Sequence, residues 1–298
     1  MKKKYLISGG SGFIGSHLAK KLVDLGNEVH IIIIPSCNID LLKGYEENII
    51  FHEYDGTFHS LDNALVNSKP DVVFHLASVF ISQHQPIDID NLILSNILFG
   101  THLVEAIVQN GVRKLINTGT SWQHYNNSEY DPVNLYAATK QAMEDIIKYY
   151  CEADKLYAVH LKLFDTYGPN DPRPKLLNLL KKAILTGEVL EMSGGEQLID
   201  LVYIDDVVEA FYIASEFIFN TKYINCSYGI SSNSPIKLKN LIEIISDVIG
   251  RKIPIKWGGK PYKTREVMVP WNTFSQLEGW APKIELEEGI KNCFQEIV

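Results

Sequence analysis

The stretch of this sequence that most constrains its fold is GGSGFIGSHL, close to the start of the chain. It follows a short apolar run, KYLIS, and continues into a segment with helical periodicity that we expect to end at Gly26. The spacing of Gly9, Gly12 and Gly15 allows, in turn, a tight turn, close approach of a pyrophosphate to backbone N–H groups, and close packing of helix on sheet. Because the β-branched run EVHIIIIP follows, the order strand, loop, helix, strand predicts a dinucleotide-binding unit.

Apolar runs alternate with helical stretches through the first half of the chain. NIIFHEY, DVVFHLA, RKLINTG and LYAVHLKLF have the pattern of buried strands, and helices are predicted near residues 58–67, 91–110 and 136–152. Strands that are apolar throughout and alternate with helices predict a parallel sheet covered on both faces. The predicted fold class is therefore α/β, a Rossmann-type doubly wound parallel sheet with a smaller mixed α/β C-terminal lobe.

The alternation loosens after about residue 165, at the breaker-rich stretch YGPNDPRP. A mixture of helices and short strands follows. We predict an NAD(P)-binding Rossmann domain over residues 1–165 and a substrate-binding lobe over residues 166–298, with residues 198–222 or so returning to the first domain.

The composition argues against several classes of protein. A net charge of -8 and a pI near 5.6 make nucleic acid a poor candidate partner. The four cysteines are far apart, so the sequence predicts neither a disulfide framework nor a metal site. The apolar run after the N-terminal lysines is too short for a signal peptide, and no apolar stretch approaches membrane-spanning length. We expect a cytoplasmic protein with no membrane partner.

The end of the second predicted strand bears on which dinucleotide binds. Many NAD-binding proteins place an acidic residue there to bond the ribose hydroxyls. Here the stretch is IIIIPSCN, with no Asp or Glu before Asp40. Since no anion would repel a 2′-phosphate, NADP(H) is preferred, with NAD(H) as the alternative, and the residues that can meet the phosphate are Ser36, Asn38 and Lys43. Asp55, after the third strand, is either an adenine contact or a solvated turn residue.

The stretch NLYAATK places Tyr136 four residues before Lys140 in a predicted helix, so both side chains can reach one bound group. A tyrosine that acts as a base at neutral pH needs a stabilised phenolate, which an ammonium and a nicotinamide cation can supply together. Upstream, INTGTSW ends a strand, and the hydroxyls of Thr118 and Thr120 would emerge at the carboxyl end of the sheet, where ligands bind in open α/β folds. The combination predicts a catalytic Tyr–Lys pair.

The chain resembles the extended short-chain dehydrogenases/reductases that act on nucleotide sugars, the NAD-dependent epimerase/dehydratase family. The resemblance covers nearly the whole chain and rests on GGSGFIG, DVVFHLAS, the helix with Asn96 and Gly100, TGTSW, YAATK, LFDTYGP, GGEQLIDLVYIDDV and LEGWAPKIELEEGI. By matched position it implies that Thr120 is the catalytic hydroxyl, Tyr136 the acid/base and Lys140 the residue that holds the nicotinamide ribose and lowers the tyrosine pKa. It also implies cofactor contacts at Gly9, Gly12, Phe13, Ile14, Gly15, Leu76, Ala77 and Ser78.

Departures from the family pattern reduce the number of reactions that we expect this chain to catalyse. Ser121 and Trp122 stand where family dehydratases carry an Asp–Glu pair, and Ser121 and Asn170 stand where C3/C5 epimerases use a cysteine and a histidine. Neither reaction is expected. Two reactions remain. The first choice is NAD(P)H-dependent reduction of a keto group, at C4 of a nucleotide-linked 6-deoxy sugar, with Tyr136 as proton donor. The alternative is 4-epimerisation with tightly held NAD. The predicted NADP(H) favours reduction.

The substrate end departs from the family pattern too. Ile199 replaces an arginine that contacts the nucleotide, and Asp165 replaces an asparagine and would repel a diphosphate unless turned away or paired. Arg265 matches a second family arginine and is expected to contact phosphate. The predicted substrate contacts are thus Thr120, Ser121, Asp165 and Arg265. Trp122 and His124 either shape the sugar pocket or pack, and His84 receives no chemical role.

The helix predicted over residues 91–110 is apolar on more than one face, which indicates either deep burial or a homodimer interface. We expect a homodimer formed through this helix and the helix over residues 136–152. A cofactor-binding regulator without activity is the alternative to an enzyme, but such proteins typically lose the tyrosine or the lysine, and this chain keeps both.

Overall fold

The computed structural model describes residues 2–35, 37–221 and 225–297. The strands in these ranges are β1 (Lys4–Ser8), β2 (Glu28–Ile33), β3 (Ile49–Glu53), β4 (Val72–His75), β5 (Lys114–Thr120), β6 (Tyr157–Leu163), β7 (Asp165–Tyr167), β8 (Leu190–Met192), β9 (Leu198–Ile199), β10 (Leu201–Tyr203), β11 (Asn225–Ile230), β12 (Ile236–Lys237) and β13 (Ile255–Trp257). Seven of these described strands form a parallel sheet in the order β11-β6-β5-β4-β1-β2-β3. The prediction of a parallel Rossmann-type sheet is confirmed.

Helices cover both faces of this sheet, α1 and α7 in one core cluster and α2, α4 and α5 in the other, because each presents an apolar stripe to it. The helices of the described residues are α1 (Phe13–Asp24), α2 (Phe58–Ser68), α3 (Ile89–Ile93), α4 (Phe99–Gln109), α5 (Leu135–Asp154), α6 (Leu176–Thr186), α7 (Ile204–Asn220), α8 (Leu238–Ile249) and α9 (Leu286–Phe294). Leu18 of α1 and Phe211 of α7 are fully buried in one core cluster. Leu103 of α4 and Ile147 of α5 are fully buried in the other. The sheet is therefore doubly wound.

The helix predicted over residues 91–110 is longer than expected and irregular. It joins a 3-10 turn, α3, a π-helical turn at Leu94–Leu98 and α4. Among the described residues, Pro86–Gln109 is the one helical stretch long and apolar enough to cross a membrane, with a mean hydropathy of 1.4 and 44% of its most apolar window buried. The expectation that no stretch has this length and composition is corrected. Because the stretch packs on α2 and α5, it is a core helix of this fold.

The C-terminal third divides its elements between the sheet and a smaller lobe. In the lobe, α6, α8 and α9 pack with two-stranded pairs, β13 with β8 and β12 with β9. The other elements go back to the sheet: α7 packs on α1, and β11 adds a strand beside β6. The predicted return over residues 198–222 includes α7 but omits β11, whose sequence NCSYGI lacks a run of β-branched residues. The domain boundary at residue 165 stays a prediction.

Candidate active site

The glycine loop turns sharply between β1 and α1. Gly9 has a positive φ of 74°, and its carbonyl accepts a hydrogen bond from the Gly12 N–H at 3.1 Å. A Cβ on Gly9 would lie 2.5 Å from the backbone nitrogen of Ala77, whereas a Cβ on Gly12 would meet only the Gly9 carbonyl oxygen at 3.3 Å. Gly9 is therefore required by packing, and Gly12 leaves room for a ligand beside the backbone. No side chain caps the start of α1, so its N–H groups remain available for an anion.

A cavity of about 220 Å³ opens beside this loop at the carboxyl ends of the central strands, and we call it the glycine-loop cavity. The structure brings together there residues that the sequence predicted from stretches far apart in the chain. They are Gly9, Gly12, Phe13, Ile14, Gly15, Leu76, Ser78, Thr118, Thr120, Ser121, Tyr136, Lys140 and Asp165.

Three of the predicted site residues that the structure describes do not line this cavity. Ala77 does not line the cavity but supplies the backbone that packs against Gly9. Asp55 is also absent from the lining, and its carboxylate accepts hydrogen bonds from the backbone N–H and hydroxyl of Thr57, at 2.9 and 2.6 Å, in the turn before α2. Arg265 lines a neighbouring cavity instead. Ser36 lies outside the described residues.

Tyr136 and Lys140 lie one turn apart on α5. The helix starts at Asn134, whose side chain accepts a hydrogen bond from the Ala137 N–H at 2.9 Å, and this cap places Tyr136 in the first turn. Burial raises the pKa of Tyr136 to about 12, although the Ser78 hydroxyl and the Arg173 charge offset part of the rise. Burial also lowers the pKa of Lys140 to about 8, against the opposing effect of Glu144. At neutral pH the phenol therefore holds its proton.

This electrostatic state differs from the expectation that Lys140 lowers the tyrosine pKa. Burial outweighs the nearby hydroxyl and positive charge, and the positive charge that acts on the phenol is that of Arg173. A phenol that keeps its proton at neutral pH can donate it to an oxygen in the cavity.

Two threonine hydroxyls complete the polar side of the cavity. Thr120 ends β5, and its backbone N–H donates to the Gln123 side chain at 2.9 Å, which fixes the strand end. Among the described residues, no hydrogen-bond partner lies near the buried hydroxyl oxygen of Thr118. Since buried polar groups are normally paired, this orphaned hydroxyl fits a ligand that occupies the cavity.

Asn96, which the sequence analysis did not place in the site, ties the cavity wall to α5. It lies in the π-helical turn and is buried. Its side-chain oxygen accepts from the Val79 N–H at 2.7 Å and from the Ser78 hydroxyl at 3.1 Å, while its nitrogen donates to the Thr139 hydroxyl at 3.0 Å. Thr139 in turn donates to the Tyr136 carbonyl at 2.7 Å. Asn96 thus holds Ser78 and Tyr136 in register.

Sequence reasoning also missed two cations of the lobe that reach the cavity. The Arg173 guanidinium lies 4.7 Å from the centre of the Phe13 ring in the glycine loop and is paired with Asp171. The Lys175 ammonium lies 3.9 Å from a carboxylate oxygen of Asp165. Asp165 is therefore paired, which answers the objection that it would repel a diphosphate. The signal was present in the stretch NDPRPK, where basic residues stand among turn formers.

A second cavity, of about 360 Å³, adjoins the first through Ser121, Trp122 and Asp165, and we call it the Arg265 cavity. Ile199, which replaces an arginine of the family pattern, lines this cavity. Arg265 also lines it, but this side chain forms an ion pair with Asp131 and stacks 4.3 Å from the centre of the Tyr125 ring. To make the predicted contact with a phosphate, the Arg265 guanidinium would have to leave or share its ion pair with Asp131.

Of the two roles considered for His124, the structure shows both: the side chain lines the Arg265 cavity and packs against its wall. Its ring stacks on Trp271 with centroids 3.8 Å apart, and both residues line the cavity. Behind it, the Lys162 ammonium lies 2.8 Å from His124 Nε2 and 3.1 Å from Glu144 Oε2. His84 is exposed and lines none of these cavities.

A third cavity, of about 430 Å³, lies against α6 and the short strands of the lobe, and we call it the α6 cavity. Asp165 and Trp122 line all three cavities. Among the described residues, no three His, Cys, Asp or Glu side chains are grouped so that they could hold a metal ion.

Residues 5–226 match the model of the NAD-dependent epimerase/dehydratase family. The chain belongs to this family. Among its family relatives, the CDP-abequose synthase of Yersinia pseudotuberculosis is 29% identical over 269 residues, which cover 90% of this chain and 91% of the relative. The UDP-glucuronate 4-epimerase of Thermodesulfobacterium geofontis is 28% identical, with 96% of this chain and 94% of the relative covered.

Solved structures of the epimerase/dehydratase family share the fold over its full length. The UDP-N-acetylglucosamine 4-epimerase of Methanobrevibacter ruminantium, in complex with UDP-N-acetylmuramic acid, matches with a TM-score of 0.87, 26% identity, and coverage of 99% of this chain and 98% of that one. The UDP-glucose 4-epimerase of Thermotoga maritima, with UDP-glucose, matches with a TM-score of 0.85, 25% identity, and coverage of 98% and 97%. The predicted family membership is confirmed.

Proposed function

We propose that this protein reduces a keto group, at C4, of a nucleotide-linked 6-deoxy sugar with NAD(P)H, and that Tyr136 donates the proton. The observation that carries the proposal is the convergence of Thr120, Tyr136 and Lys140 on the glycine-loop cavity. The resemblance to CDP-abequose synthases supports ketoreduction.

The residues of the cavity fit a dinucleotide cofactor. The open side of Gly12 and the uncapped start of α1 suit its pyrophosphate, and Arg173 can neutralise the phosphate charge from the other side. Lys140 would hold the nicotinamide ribose, and the Thr118 hydroxyl is free to bond the cofactor. When bound, the nicotinamide supplies the hydride for reduction.

In the proposed reaction the substrate carbonyl oxygen lies between the hydroxyls of Thr120 and Tyr136. Thr120 donates a hydrogen bond that orients the carbonyl. Tyr136 gives its proton to the oxygen as negative charge develops there, and the high pKa of Tyr136 keeps it protonated until that moment. The cationic form of Lys140 stabilises the tyrosinate that results. Ser121 and Trp122 supply no acid/base pair, which disfavours dehydration at the same site.

NADP(H) is the proposed cofactor because β2 ends without an acidic side chain that would repel a 2′-phosphate. Structures of the same fold that contain NAD, such as the UDP-glucose 4-epimerase of Thermus thermophilus, keep NAD(H) as the alternative. A comparison of NADPH and NADH oxidation at equal concentration decides between them.

A 4-epimerase with tightly held NAD is the second candidate, since UDP-glucuronate 4-epimerases are among the relatives. Both reactions use the same three catalytic residues. They differ in whether hydride leaves the enzyme with the product, so cofactor that stays bound through purification favours the epimerase.

The decisive experiment follows NADPH and NADH oxidation by absorbance with 4-keto-6-deoxy sugars linked to CDP, UDP, GDP and dTDP. Stoichiometric oxidation with one of them establishes the reductase and names its nucleotide. Interconversion of sugar epimers without net oxidation establishes the epimerase. Cofactor binding without either reaction revives the regulator alternative.

We also propose a homodimer formed through the helical stretch over residues 91–110, which includes the π-helical turn, and through α5 over residues 136–152. Apolar side chains along this surface are exposed: Leu94 by 55%, Leu98 by 40% and Tyr149 by 64%. A second copy that covers them would remove apolar area from water. Sedimentation of the purified chain tests this, and a monomer at micromolar concentration would contradict it.

A further inference from the structure

Phe80 and Trp122 form a continuous aromatic surface beside Tyr136, which we call the aromatic wall. Their ring centroids are 5.6 Å apart, and the Phe80 ring meets the Tyr136 ring edge-on at 5.0 Å. Both side chains line the glycine-loop cavity and the α6 cavity. Because Phe80 is 46% exposed, its ring faces open space and is not part of the core.

The wall lies next to the atoms that react in the proposed function. Trp122 is two residues beyond Thr120, and its backbone N–H donates to the Thr120 hydroxyl at 3.3 Å. In the proposed reaction the carbonyl oxygen lies between the hydroxyls of Thr120 and Tyr136, so the neighbouring ring carbons of the sugar lie in the part of the glycine-loop cavity that Phe80 and Trp122 also line. In a 4-keto sugar, one of these neighbours is C5, which carries C6.

The chemistry of the wall distinguishes a methyl group from a hydroxymethyl group. Neither aromatic ring can accept a conventional hydrogen bond from a hydroxyl, and the single polar group of the wall is the indole N–H of Trp122. A sugar hydroxyl pressed against these rings gives up water without a replacement acceptor, which costs free energy. A methyl group gains from the same contact because its apolar area leaves water.

The wall is also held in place from the lobe. The Lys175 ammonium lies 5.5 Å from the centre of the Phe80 ring and 3.9 Å from Asp165, so the cation spans the ring and the carboxylate. The lobe therefore contributes a contact that favours one position of the Phe80 ring.

We propose that Phe80 and Trp122 determine specificity by selecting nucleotide sugars that carry a methyl group, instead of a hydroxymethyl group, at C5. The inference rests on the proposed function and deepens it, because it names the residues that make the site select 6-deoxy sugars. These residues act on binding of the sugar and take no part in proton or hydride transfer.

The test measures equilibrium binding by calorimetry, with the full chain saturated with oxidised cofactor. The probes are four matched pairs, each a glucose and a 6-deoxyglucose linked to the same nucleotide, which is CDP, UDP, GDP or dTDP. We expect the 6-deoxy sugar to bind about tenfold to hundredfold more tightly, the range that one such group supplies in an apolar pocket. Equal affinities within twofold, or no binding of either sugar in any of the four pairs, would overturn the proposal.

Variants assign the preference to the wall. Phe80→Asn and Trp122→Asn introduce groups that can bond a hydroxyl, and each should reduce the preference to below about threefold. Phe219→Asn changes an exposed aromatic residue of α7 that lines none of the three cavities, and it should keep the full preference. Measurements of cofactor affinity and thermal stability identify any variant that has unfolded. Trp122→Phe keeps the apolar surface of the wall and should retain the preference for the 6-deoxy sugar. A full preference in both asparagine variants would refute the role of the wall.

Turnover of the 4-keto forms of the same sugars, measured separately with reduced cofactor, distinguishes this inference from the proposed function. Discriminating binding without reduction of either 4-keto sugar would refute the ketoreductase and keep the wall. Turnover with no preference for the 6-deoxy sugar would refute the wall and keep the ketoreductase.

Discussion

The glycine-loop cavity and the Arg265 cavity meet at Asp165, yet the chain builds them in different ways. The first is made from short stretches with fixed internal spacing, the glycine loop, the end of β5 and the first turn of α5. The second depends on contacts between distant segments. Arg265 pairs with Asp131, and the Asn272 N–H donates to the Asn127 side chain at 2.8 Å across 145 positions of sequence.

This difference teaches which end of the site local rules can specify. A strand end, a tight turn and a helix cap place backbone and side chains with little help from the rest of the chain. The Arg265 cavity exists only once the segment around Trp271 packs on His124. Substitutions in the first cavity should therefore affect chemistry and cofactor binding, and substitutions in the second should affect the binding of the substrate.

The largest expected effect is that of Tyr136→Phe, which removes the proposed proton donor from the glycine-loop cavity. We expect kcat to fall by about 10²–10⁴-fold, the usual contribution of general acid catalysis, with cofactor affinity changed by less than about threefold. Steady-state kinetics and cofactor titration measure the two. Tyr149→Phe, on the exposed side of the same helix, is the control. Turnover above a tenth of the wild-type value would show that Tyr136 is not the proton donor and only packs in the cavity.

Gly9→Ala should come next, by weakening cofactor binding about a hundredfold. The new Cβ would collide with the backbone of Ala77, and overpacking of this kind costs about 1–3 kcal/mol. Gly44→Ala is a matched control because Gly44 also has a positive φ, 85° against 74°, but has open space around it. Both variants should lose stability, and only Gly9→Ala should lose the cofactor. Equal cofactor affinity in the two variants would show that the close packing of Gly9 on Ala77 does not control cofactor binding.

Arg265→Met should act at the other cavity and raise KM for the nucleotide sugar about tenfold, the loss expected for one charge-assisted hydrogen bond. kcat and cofactor affinity should change little. Arg251→Met, at an exposed position of the lobe, is the control. Asp131→Asn frees the guanidinium from its partner, and it should lower KM if the ion pair competes with phosphate. An unchanged KM in Arg265→Met would remove Arg265 from the substrate site.

The smallest expected effect concerns pH. Since burial lowers the pKa of Lys140 to about 8, its ammonium loses its proton as the pH rises through that value, and activity should fall there. Glu144 opposes the effect of burial on Lys140, so Glu144→Gln should move this fall in activity to lower pH. Asp145→Asn, one residue further on and exposed, should shift it little.

The Glu144→Gln profile is measured at low temperature, because removal of one partner of a buried ion pair costs about 3–5 kcal/mol of stability. A profile that superimposes on that of the wild type would show that Glu144 does not influence Lys140. It would then assign Glu144 to the support of Lys162 alone.

Most of the sheet could be predicted because its strands are buried on both faces and therefore continuously apolar, as in VVFH of β4. β11 escaped prediction because NCSYGI carries no such run and pairs only after α7 has returned the chain to the sheet. The π-helical turn at Leu94–Leu98 escaped for a related reason. Helical periodicity predicts a regular helix there. The structural role of the π-helical turn becomes visible only in the hydrogen bonds of Asn96 to Ser78, Val79 and Thr139.

By itself, the sequence determined the fold class, the family and those glycine-loop cavity residues that belong to its local motifs, because each depends on glycine spacing, strand burial or the contact between residues four apart on a helix. Tertiary structure alone decided that burial leaves Tyr136 protonated, that Lys175 pairs with Asp165 and that Phe80 and Trp122 stand beside the reacting hydroxyls. Those outcomes depend on distances between residues far apart in the chain. Electrostatics and packing act through such distances, and no local pattern encodes them.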